Sequence, residues 1–290
     1  MANKLRVVIC GCGGISNAWF GSAKELPEIE FVGLVDLKLE NAEKRKAEHN
    51  LTGAKCGTDL AAMLAELKPD AVFDCTIPEA HCGVTLTALA HGCHVMGEKP
   101  LADSMENARK MVAAAQAAGK TYAVIQNRRY MNGIRTLRAF LDTGALGRLT
   151  TVNCDFYIGA HFGGFRDRMK HVLLLDMAIH TFDAGRMICG ADPEAVWCHE
   201  WNPPGSWYDH DASAIAVFEM SNNLIYTYRG SWCAEGVNTS WECDWRIIGE
   251  KGSITWNGGD KFTCQVVDEA TGFFTKKKDI TITQKDFGFK

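Results

Sequence analysis

The sequence predicts an α/β protein with two domains, the first built on a parallel sheet and the second an α+β domain with an open, mostly antiparallel sheet. Over residues 1–125, short β-branched apolar runs alternate with longer amphipathic stretches, whereas strand-like runs dominate from residue 126 onward. Alternating strands and helices favour a parallel sheet with helices on both faces, and successive long strands favour antiparallel pairing. We therefore expect one domain at 1–125 and a second at 126–290.

Runs of strand length and runs of helical length alternate through the first domain. The predicted strands are 5–10, 30–35, 71–75, 94–97 and 121–125. The predicted helices are 16–25, 40–49, 59–67, 80–91 and 104–118. Breaks at Pro69 and Gly119 fall just after helices and just before strands, as expected for the short connections of such a fold.

The second domain is predicted to be richer in strands. A helix at 133–142 opens it, and a further helix at 171–189 interrupts the strands. The predicted strands are 149–157, 195–199, 212–220, 224–232, 244–249, 252–256 and 262–267. These helices are too few to cover both faces of the sheet. The face that stays uncovered is expected to carry apolar and aromatic residues, including Trp197, Tyr226, Tyr228 and Trp245. We expect this face to bury against another subunit, in a homodimer or homotetramer.

Composition and charge disfavour several classes of protein. Of 290 residues, 47% are hydrophobic and 23% charged, which is typical of a folded globular protein. The net charge of -4, with Lys and Arg spread along the chain, argues against a nucleic-acid partner. No apolar run approaches the roughly 20 residues that span a bilayer, and no signal peptide is expected. The 12 cysteines include no Cys-x-x-Cys pair, so we expect reduced thiols in a cytoplasmic protein without a membrane partner.

A glycine-rich turn directly follows the first predicted strand and opens the first helix. Such a turn lets the backbone approach a pyrophosphate, while the helix N-terminus directs amide groups toward it. Asp36 ends the second strand, 20 residues after Ser16, where a carboxylate can accept hydrogen bonds from an adenosine ribose. A plain glycine turn beside a solvated aspartate is the structural alternative. The context favours a Rossmann domain whose turn consists of Gly11, Cys12, Gly13, Gly14, Ile15 and Ser16.

The same aspartate indicates which dinucleotide to expect. A carboxylate at this position repels the 2′-phosphate of NADP, so NAD is favoured over NADP. Lys38 lies two residues beyond Asp36 and would weaken that preference. The predicted cofactor is therefore NAD.

Two further segments lie at the ends of later strands in the first domain. An open α/β sheet places its ligand at the carboxyl ends of its strands, so Lys99 is aimed toward a crevice. A lone lysine is usually solvated, however, and His81 could equally cap or pack its helix. The two segments are Thr76, Ile77, Pro78 and His81, and Glu98, Lys99 and Pro100.

An aspartate and a histidine lie four residues apart in the predicted helix 171–189. Positions four apart share a helix face, so Asp176 and His180 are expected side by side in an otherwise apolar helix. Burying both is costly unless they bond to each other or to a ligand. A hydrogen-bonded carboxylate raises the basicity of an imidazole, which suits a base that takes a hydroxyl proton. A satisfied Asp–His pair in the core is the alternative.

Taken in order, these motifs resemble those of the Gfo/Idh/MocA oxidoreductases, from residue 4 to about residue 257. The combination of Glu98-Lys99-Pro100 with Asp176-x-x-x-His180 carries most of the resemblance. The other matching segments are 11–16, 76–81, 128–130 and 144–147. The resemblance implies oxidation of a secondary hydroxyl of a sugar, polyol or glycoside by NAD, in a cleft between a Rossmann domain and a domain for substrate binding and oligomerisation.

The resemblance also implies roles for individual residues. His180 would take the hydroxyl proton with help from Asp176, and Lys99 would hydrogen-bond the same oxygen as it becomes a carbonyl. The residues expected to contact the cofactor are Gly11, Gly13, Gly14, Ile15, Ser16, Asp36, Thr76, Ile77, Pro78, His81, Glu98, Lys99 and Arg128.

Candidate substrate contacts lie in a loop and at a strand end of the second domain. Residues 157–166 are typical of a flexible cleft loop with aromatic and basic members, and a tryptophan can stack on a sugar face. Aromatic residues in strands more often pack on the sheet. The candidates are Tyr157, His161, Arg166 and Trp232. No metal site is expected, because no cluster of potential ligands in the sequence is accompanied by a second cluster that would complete the coordination of a metal ion.

The sequence departs from the family pattern in two places. Many members carry a glycine-rich stretch before the catalytic aspartate, where this chain reads Lys-His-Val-Leu-Leu-Leu at 170–175. Relatives usually continue with helices that pack back on the first domain, so we expect either a short branch of the family or an incomplete sequence. Two other functions remain open: a glycoside-cleaving enzyme that uses NAD for transient oxidation, and a non-catalytic dinucleotide-binding regulator.

Overall fold

The computed structural model describes residues 4–288, which form two compact units that divide between Ile125 and Gln126. Each unit is built on a sheet of its own. The predicted fold class is confirmed, because a parallel α/β unit of Rossmann type precedes a unit with a mostly antiparallel sheet. Within residues 4–288, no helix is both long enough and apolar enough to cross a membrane.

The first unit alternates strands and helices. Its strands are β1 (Leu5–Cys10), β2 (Ile29–Val35), β3 (Lys55–Gly57), β4 (Ala71–Asp74), β5 (His94–Gly97) and β6 (Tyr122–Val124). Its helices are α1 (Ser16–Ala23), α2 (Leu39–Glu48), α3 (Leu60–Leu67), α4 (Pro78–Ala90) and α5 (Met105–Ala118). The strands pair in parallel in the order β3-β2-β1-β4-β5-β6. The order reverses between β1 and β4, and such a reversal opens a crevice at the carboxyl ends of the two strands.

The sheet of the first unit is buried on both faces. Val7 and Ile9 of β1 pack into one apolar cluster, whereas Val8 and Cys10 pack into another. Successive side chains of a strand point to opposite faces, so a continuous apolar run fits a strand covered on both sides. This run therefore fixes β1 at the centre of the sheet, where its carboxyl end leads into the glycine turn.

Within its described residues, the second unit combines two α-helices with eight strands. Its helices are α6 (Asn132–Leu141) and α7 (Ile179–Cys189). Its strands are β7 (Leu149–Tyr157), β8 (Pro193–Trp201), β9 (Ser213–Met220), β10 (Ile225–Ser231), β11 (Asp244–Gly249), β12 (Gly252–Trp256), β13 (Phe262–Glu269) and β14 (Lys276–Ile280). The sheet order is β14-β13-β12-β11-β7-β10-β9-β8, and β7 and β10 run parallel while the other described pairs are antiparallel.

The aromatic residues of this sheet correct one expectation. Tyr226, Tyr228 and Trp245 are at most 3% exposed and lie in the core with residues of α6 and α7, whereas Trp197 on the edge strand is 60% exposed. The opposite sheet face carries polar side chains, among them Asn153, Asp155, Thr227 and Arg229. The prediction that these aromatic residues lie on an uncovered sheet face is therefore wrong. Side chains alternate between the two faces along a strand, and three of the four aromatic side chains point toward the core. Assembly as a homodimer or homotetramer stays a prediction.

The predicted helix 171–189 forms in two parts. Leu173–Ala178 is π-helical, and α7 continues as a regular α-helix. Short π-helical segments are rare and occur frequently at functional sites. Asp176 lies inside the π-helical segment and His180 just beyond it, so their spacing is not that of one regular α-helix.

Candidate active site

The glycine turn between β1 and α1 leaves space where a phosphate group would need it. Gly11 has a φ of +89°, and a Cβ on it would lie 2.6 Å from the backbone of Cys75, so a side chain is excluded there. Gly13 and Gly14 are exposed, and a Cβ on either would meet no atom within 4 Å. Ile15 beside them is also exposed. The turn presents open backbone at the start of α1, which fits the pyrophosphate of a dinucleotide.

Two side chains hold this turn in place. Ser16 is buried, and its Oγ donates to the carbonyl oxygen of Gly13 at 2.7 Å. Arg45 of α2 donates to the same oxygen from Nη2 at 3.1 Å, and its Nε lies 3.3 Å from Ser16 Oγ. Arg45 was not predicted from the sequence, because no pattern distinguishes it from the other basic residues of α2. The shape of the turn is therefore set by the protein itself.

Asp36 connects the end of β2 to the glycine turn. Its Oδ2 accepts a hydrogen bond from the backbone N–H of Cys12 at 2.8 Å. Its Oδ1 accepts from the backbone N–H of Lys38 at 2.9 Å and from the side-chain amide of Asn41 at 3.0 Å. A carboxylate offers about four acceptor positions, and three of those of Asp36 are occupied by these bonds, which leaves roughly one for a ribose hydroxyl. The side chain is partly exposed, which leaves that position open to a ligand.

A buried network supports the turn after β4. Oδ1 of Asp74 accepts from the N–H of Thr76 at 3.0 Å and from its hydroxyl at 2.6 Å, and Oδ2 lies 2.9 Å from Nδ1 of His81. Ile77 is 65% exposed and Pro78 begins α4, so this part of the turn can meet a ligand. His81 is 1% exposed. Its ring packs beneath the turn, as in the alternative in which His81 packs its helix, and the contact of His81 with the cofactor stays a prediction.

Glu98 ties the segment after β5 to α1. Its Oε1 accepts from the indole N–H of Trp19 at 2.7 Å, and its Oε2 accepts from the backbone N–H of Lys99 at 3.2 Å. Trp19 packs in the core with Phe73 of β4. The backbone that carries the partly buried Lys99 side chain is thus fixed by a buried aromatic residue.

In the second unit, two loops and the helical segment of His180 meet at one edge of the sheet. Because β7 and β10 run parallel, both strands end at the same edge. The chain after β7 pairs with the chain after β10 through a bridge between Gly159 and Cys233. Further along the second loop, Sγ of Cys243 lies 3.5 Å from Oγ1 of Thr181, the residue after His180. The predicted base therefore lies where the two loops converge.

Gln126 fixes one ring nitrogen of His180. The His180 side chain is buried, and its Nδ1 lies 2.9 Å from Oε1 of Gln126. An amide oxygen can only accept, so Nδ1 carries the proton and Nε2 of the neutral ring keeps its lone pair. This arrangement suits a base that accepts a proton at Nε2. Gln126 was not predicted from the sequence, because no motif marks it and it lies 54 positions from its partner.

Arg166 bonds the carboxylate of Asp176 at two points. Its Nε donates to Oδ2 at 2.8 Å, and its Nη2 donates to Oδ1 at 3.3 Å. The guanidinium also lies over the rings of Phe162 and Phe165, 5.0 and 4.8 Å from their centroids. Such ring faces attract a cation. The structure thus brings Arg166, a substrate candidate, against Asp176, a predicted catalytic residue.

Arg128 holds the chain segment that carries Trp241. Its Nη1 donates to Oε1 of Glu242 at 2.9 Å and also to the carbonyl oxygen of Trp241. Burial raises the pKa of Glu242, while the positive charge of Arg128 opposes that rise. Arg128, His180, Trp241 and Glu242 line one small cavity in the second unit. Arg128, predicted to contact the cofactor, therefore makes these contacts beside the predicted base, and Trp241 and Glu242 were missed from the sequence.

Tyr157 and His161 lie in different surroundings. Along β7, residues 152, 154 and 156 are buried in the core beside α7, so Tyr157 points to the opposite sheet face. His161 stacks on Trp207 with ring centroids 3.7 Å apart, and its Nε2 lies 2.7 Å from Oε1 of Glu235. The sheet therefore separates Tyr157 from His180, whereas His161 belongs to the loop at the edge where the base lies.

Trp232 is part of the core. It is 2% exposed and packs edge-on against Phe156 at a centroid distance of 5.2 Å. A ring this deeply buried has no free face for a sugar, so the expected stacking on Trp232 is not possible here. Trp232 instead packs on the sheet, as aromatic residues in strands more often do.

Sequence comparison places these sites in a known context. Residues 5–126 match the oxidoreductase family, NAD-binding Rossmann fold, and residues 134–255 match the Gfo/Idh/MocA C-terminal domain. The chain is 31% identical over 246 residues to D-glucoside 3-dehydrogenase of Escherichia coli (strain K12), which covers 77% of this chain and 69% of that protein. It is 33% identical over 156 residues to inositol 2-dehydrogenase of Pseudomonas syringae pv. syringae, which covers 53% of this chain and 46% of that protein.

A solved structure shares the fold. An oxidoreductase from Agrobacterium radiobacter, in complex with NAD+, L-tartaric acid and magnesium, matches with a TM-score of 0.84 at 20% identity, covering 98% of this chain and 81% of that chain. An identity this low shows the fold alone. The matches to both family domains, together with a relative more than 30% identical over two thirds of its length, show that the chain belongs to the Gfo/Idh/MocA family of oxidoreductases.

Proposed function

We propose that this protein is an NAD-dependent dehydrogenase that oxidises a secondary hydroxyl group of a sugar, polyol or glycoside. The observation that carries the proposal is the orientation of His180, whose Nδ1 is held by Gln126 so that Nε2 can accept a proton. The open glycine turn supports dinucleotide binding. The names of two relatives, a D-glucoside dehydrogenase and an inositol dehydrogenase, support the substrate class.

Four residues of the chain are assigned roles in the proposed oxidation. A hydroxyl must lose its proton as its carbon loses hydride, so a base is needed within hydrogen-bond reach of the oxygen. His180 takes that proton at Nε2, while Gln126 accepts from Nδ1 and so stabilises the charged ring. NAD, when bound, supplies the hydride acceptor. Asp176, oriented by Arg166, and Lys99, at the end of β5, are proposed as further catalytic residues.

NAD is proposed as the cofactor in preference to NADP. The Asp36 carboxylate at the end of β2 would repel a 2′-phosphate. Arg45, the cation nearest the turn in the contacts described, already binds the Gly13 carbonyl oxygen and pairs with Glu48. NAD should therefore bind at least about tenfold more tightly, equivalent to about 1.4 kcal/mol. Titration of the purified protein with both dinucleotides measures this, and a tenfold preference for NADP would show that the assignment of Asp36 is wrong.

The activity itself is tested by incubating the protein with NAD and a panel of sugars, polyols and glycosides while following the absorbance of reduced nicotinamide. Net reduction with one class of compound supports the proposal. A protein that retains bound NAD and cleaves a glycoside without net reduction would instead be an enzyme that oxidises its substrate transiently. Binding of NAD without either reaction would identify a regulator.

A further inference from the structure

We infer that Trp241 and Phe162 form an aromatic wall that stacks on the apolar face of a ring-shaped substrate. Cyclic sugars, glycosides and cyclic polyols would therefore be preferred over open-chain polyols. The inference deepens the proposed function and rests on it, since it names the shape of substrate that the same site accepts.

Four aromatic rings cluster where the loops after β7 and β10 converge. Phe156 and Trp232 form a buried floor, and they are 0% and 2% exposed. Phe162 and Trp241 are 43% and 47% exposed, and their ring centroids lie 5.1 and 5.6 Å from that of Trp232. The two buried rings thus support two rings that are nearly half exposed. The guanidinium of Arg166 lies 5.0 Å from the Phe162 centroid, so a ligand can stack only on the part of Phe162 that Arg166 leaves uncovered.

Trp241 lies near the proposed base. Trp241 and His180 line the same small cavity. The backbone that carries the ring is fixed, because Arg128 binds the carbonyl oxygen of Trp241 and the carboxylate of Glu242. A half-exposed indole forgoes the free energy that full burial would supply, and a ligand that covers the ring recovers it. A half-exposed indole on a fixed backbone segment near a base is an arrangement suited to positioning a substrate.

The chemistry of a sugar ring matches this wall. A pyranose or a cyclohexane polyol carries C–H groups on its faces and hydroxyl groups around its rim, so one face can cover an aromatic ring while the hydroxyls stay hydrogen-bonded. The Arg128–Glu242 and Arg166–Asp176 pairs offer donors and acceptors to those hydroxyls. An open-chain polyol has no rigid face to stack and loses more conformational freedom when it binds.

The test compares Trp241→Ala and Trp241→Phe, with methyl β-D-glucoside and myo-inositol as ring probes and sorbitol as the open-chain probe. We expect a stacked ring to contribute about 3- to 10-fold in affinity, comparable with a pair of aromatic rings. Trp241→Ala should therefore raise KM for the ring probes by about 3- to 10-fold and leave KM for sorbitol unchanged, while Trp241→Phe should stay near the wild type. Trp201→Ala, at an exposed tryptophan of β8, is the matched control and should change neither.

Binding is measured as well, by saturation-transfer NMR from the protein to the ring C–H protons of each probe. Transfer that is present with the wild type and lost in Trp241→Ala supports the wall, even if no probe reduces NAD, in which case the proposed oxidation fails and the binding inference stands. Turnover with unchanged KM in Trp241→Ala, or equal losses for ring and open-chain probes, would overturn the inference and leave the proposed function intact. Absence of transfer to both ring probes with the wild type would also overturn it.

Discussion

The two units prepare their candidate sites by different means. In the first unit, the open turn is made by backbone, within the six residues 11–16, and held by Ser16 and Arg45. In the second unit, the site is made by side chains from distant segments. His180 is held by Gln126, 54 positions away, and Trp241 by Arg128, 113 positions away.

This difference has a consequence for specificity. A binding turn made of backbone depends on a few glycines and tolerates few substitutions. Such a turn suits a ligand that is the same in every reaction the enzyme catalyses. A site of side chains on loops can change its ligand with a few substitutions, which is common for loops at the edge of a rigid scaffold. We therefore expect substitutions in the first unit to change the affinity for the dinucleotide, whichever substrate is present. Changes in the second unit should affect turnover and the choice of substrate.

The largest expected effect comes from His180→Ala. Loss of the base should lower turnover by about 10²- to 10⁴-fold, the usual worth of a positioned general base. Dinucleotide affinity, measured by titration, should stay within about twofold, because the glycine turn is unchanged. His199→Ala, at an exposed histidine of β8, is the control and should retain full activity. Substantial turnover in His180→Ala would show that the proton goes elsewhere.

Two glycine substitutions in the first unit should separate an effect on stability from an effect on dinucleotide binding. In Gly11→Ala, the new Cβ would meet the Cys75 backbone at 2.6 Å, in a backbone conformation with φ of +89°. The free energy of unfolding should fall by about 1–3 kcal/mol, as for other strained positions. In Gly14→Ala, the Cβ enters open space, so stability should hold while NAD affinity falls. Denaturant unfolding and dinucleotide titration separate the two effects, and equal destabilisation in both variants would contradict the described turn.

The smallest expected effect is a change in pH dependence in Gln126→Glu. A carboxylate beside Nδ1 favours the protonated form of the His180 ring, whereas the base acts only when the ring is neutral. The acid limb of the kcat/KM profile should therefore move to higher pH by about one unit. Gln126→Leu removes the acceptor and should shift that limb to lower pH. Identical profiles in Gln126→Glu and the wild type would mean that Gln126 does not orient the base.

Strands without an apolar pattern were missed from the sequence. β14 reads Lys-Lys-Lys-Asp-Ile and forms the edge of its sheet, where charged residues are typical because they discourage pairing with another chain. β3 has three residues and joins the sheet by pairing with β2. Both strands owe their pairing to neighbours rather than to their own composition, so local periodicity could not reveal them.

The features that depend on local backbone preferences could be predicted from the amino-acid sequence. The apolar run of β1, the glycines that follow it and the position of Asp36 predicted the parallel sheet and the open turn, because each property belongs to a short segment. The side chains that surround His180 could be identified only from the folded structure. Gln126, Trp241 and Glu242 reach that site through long-range packing of loops on the second sheet. The period-2 pattern of a strand specifies which of its side chains are buried. It does not specify which distant loop residue reaches a given side chain, because that depends on which strands pair and on the path of the loops.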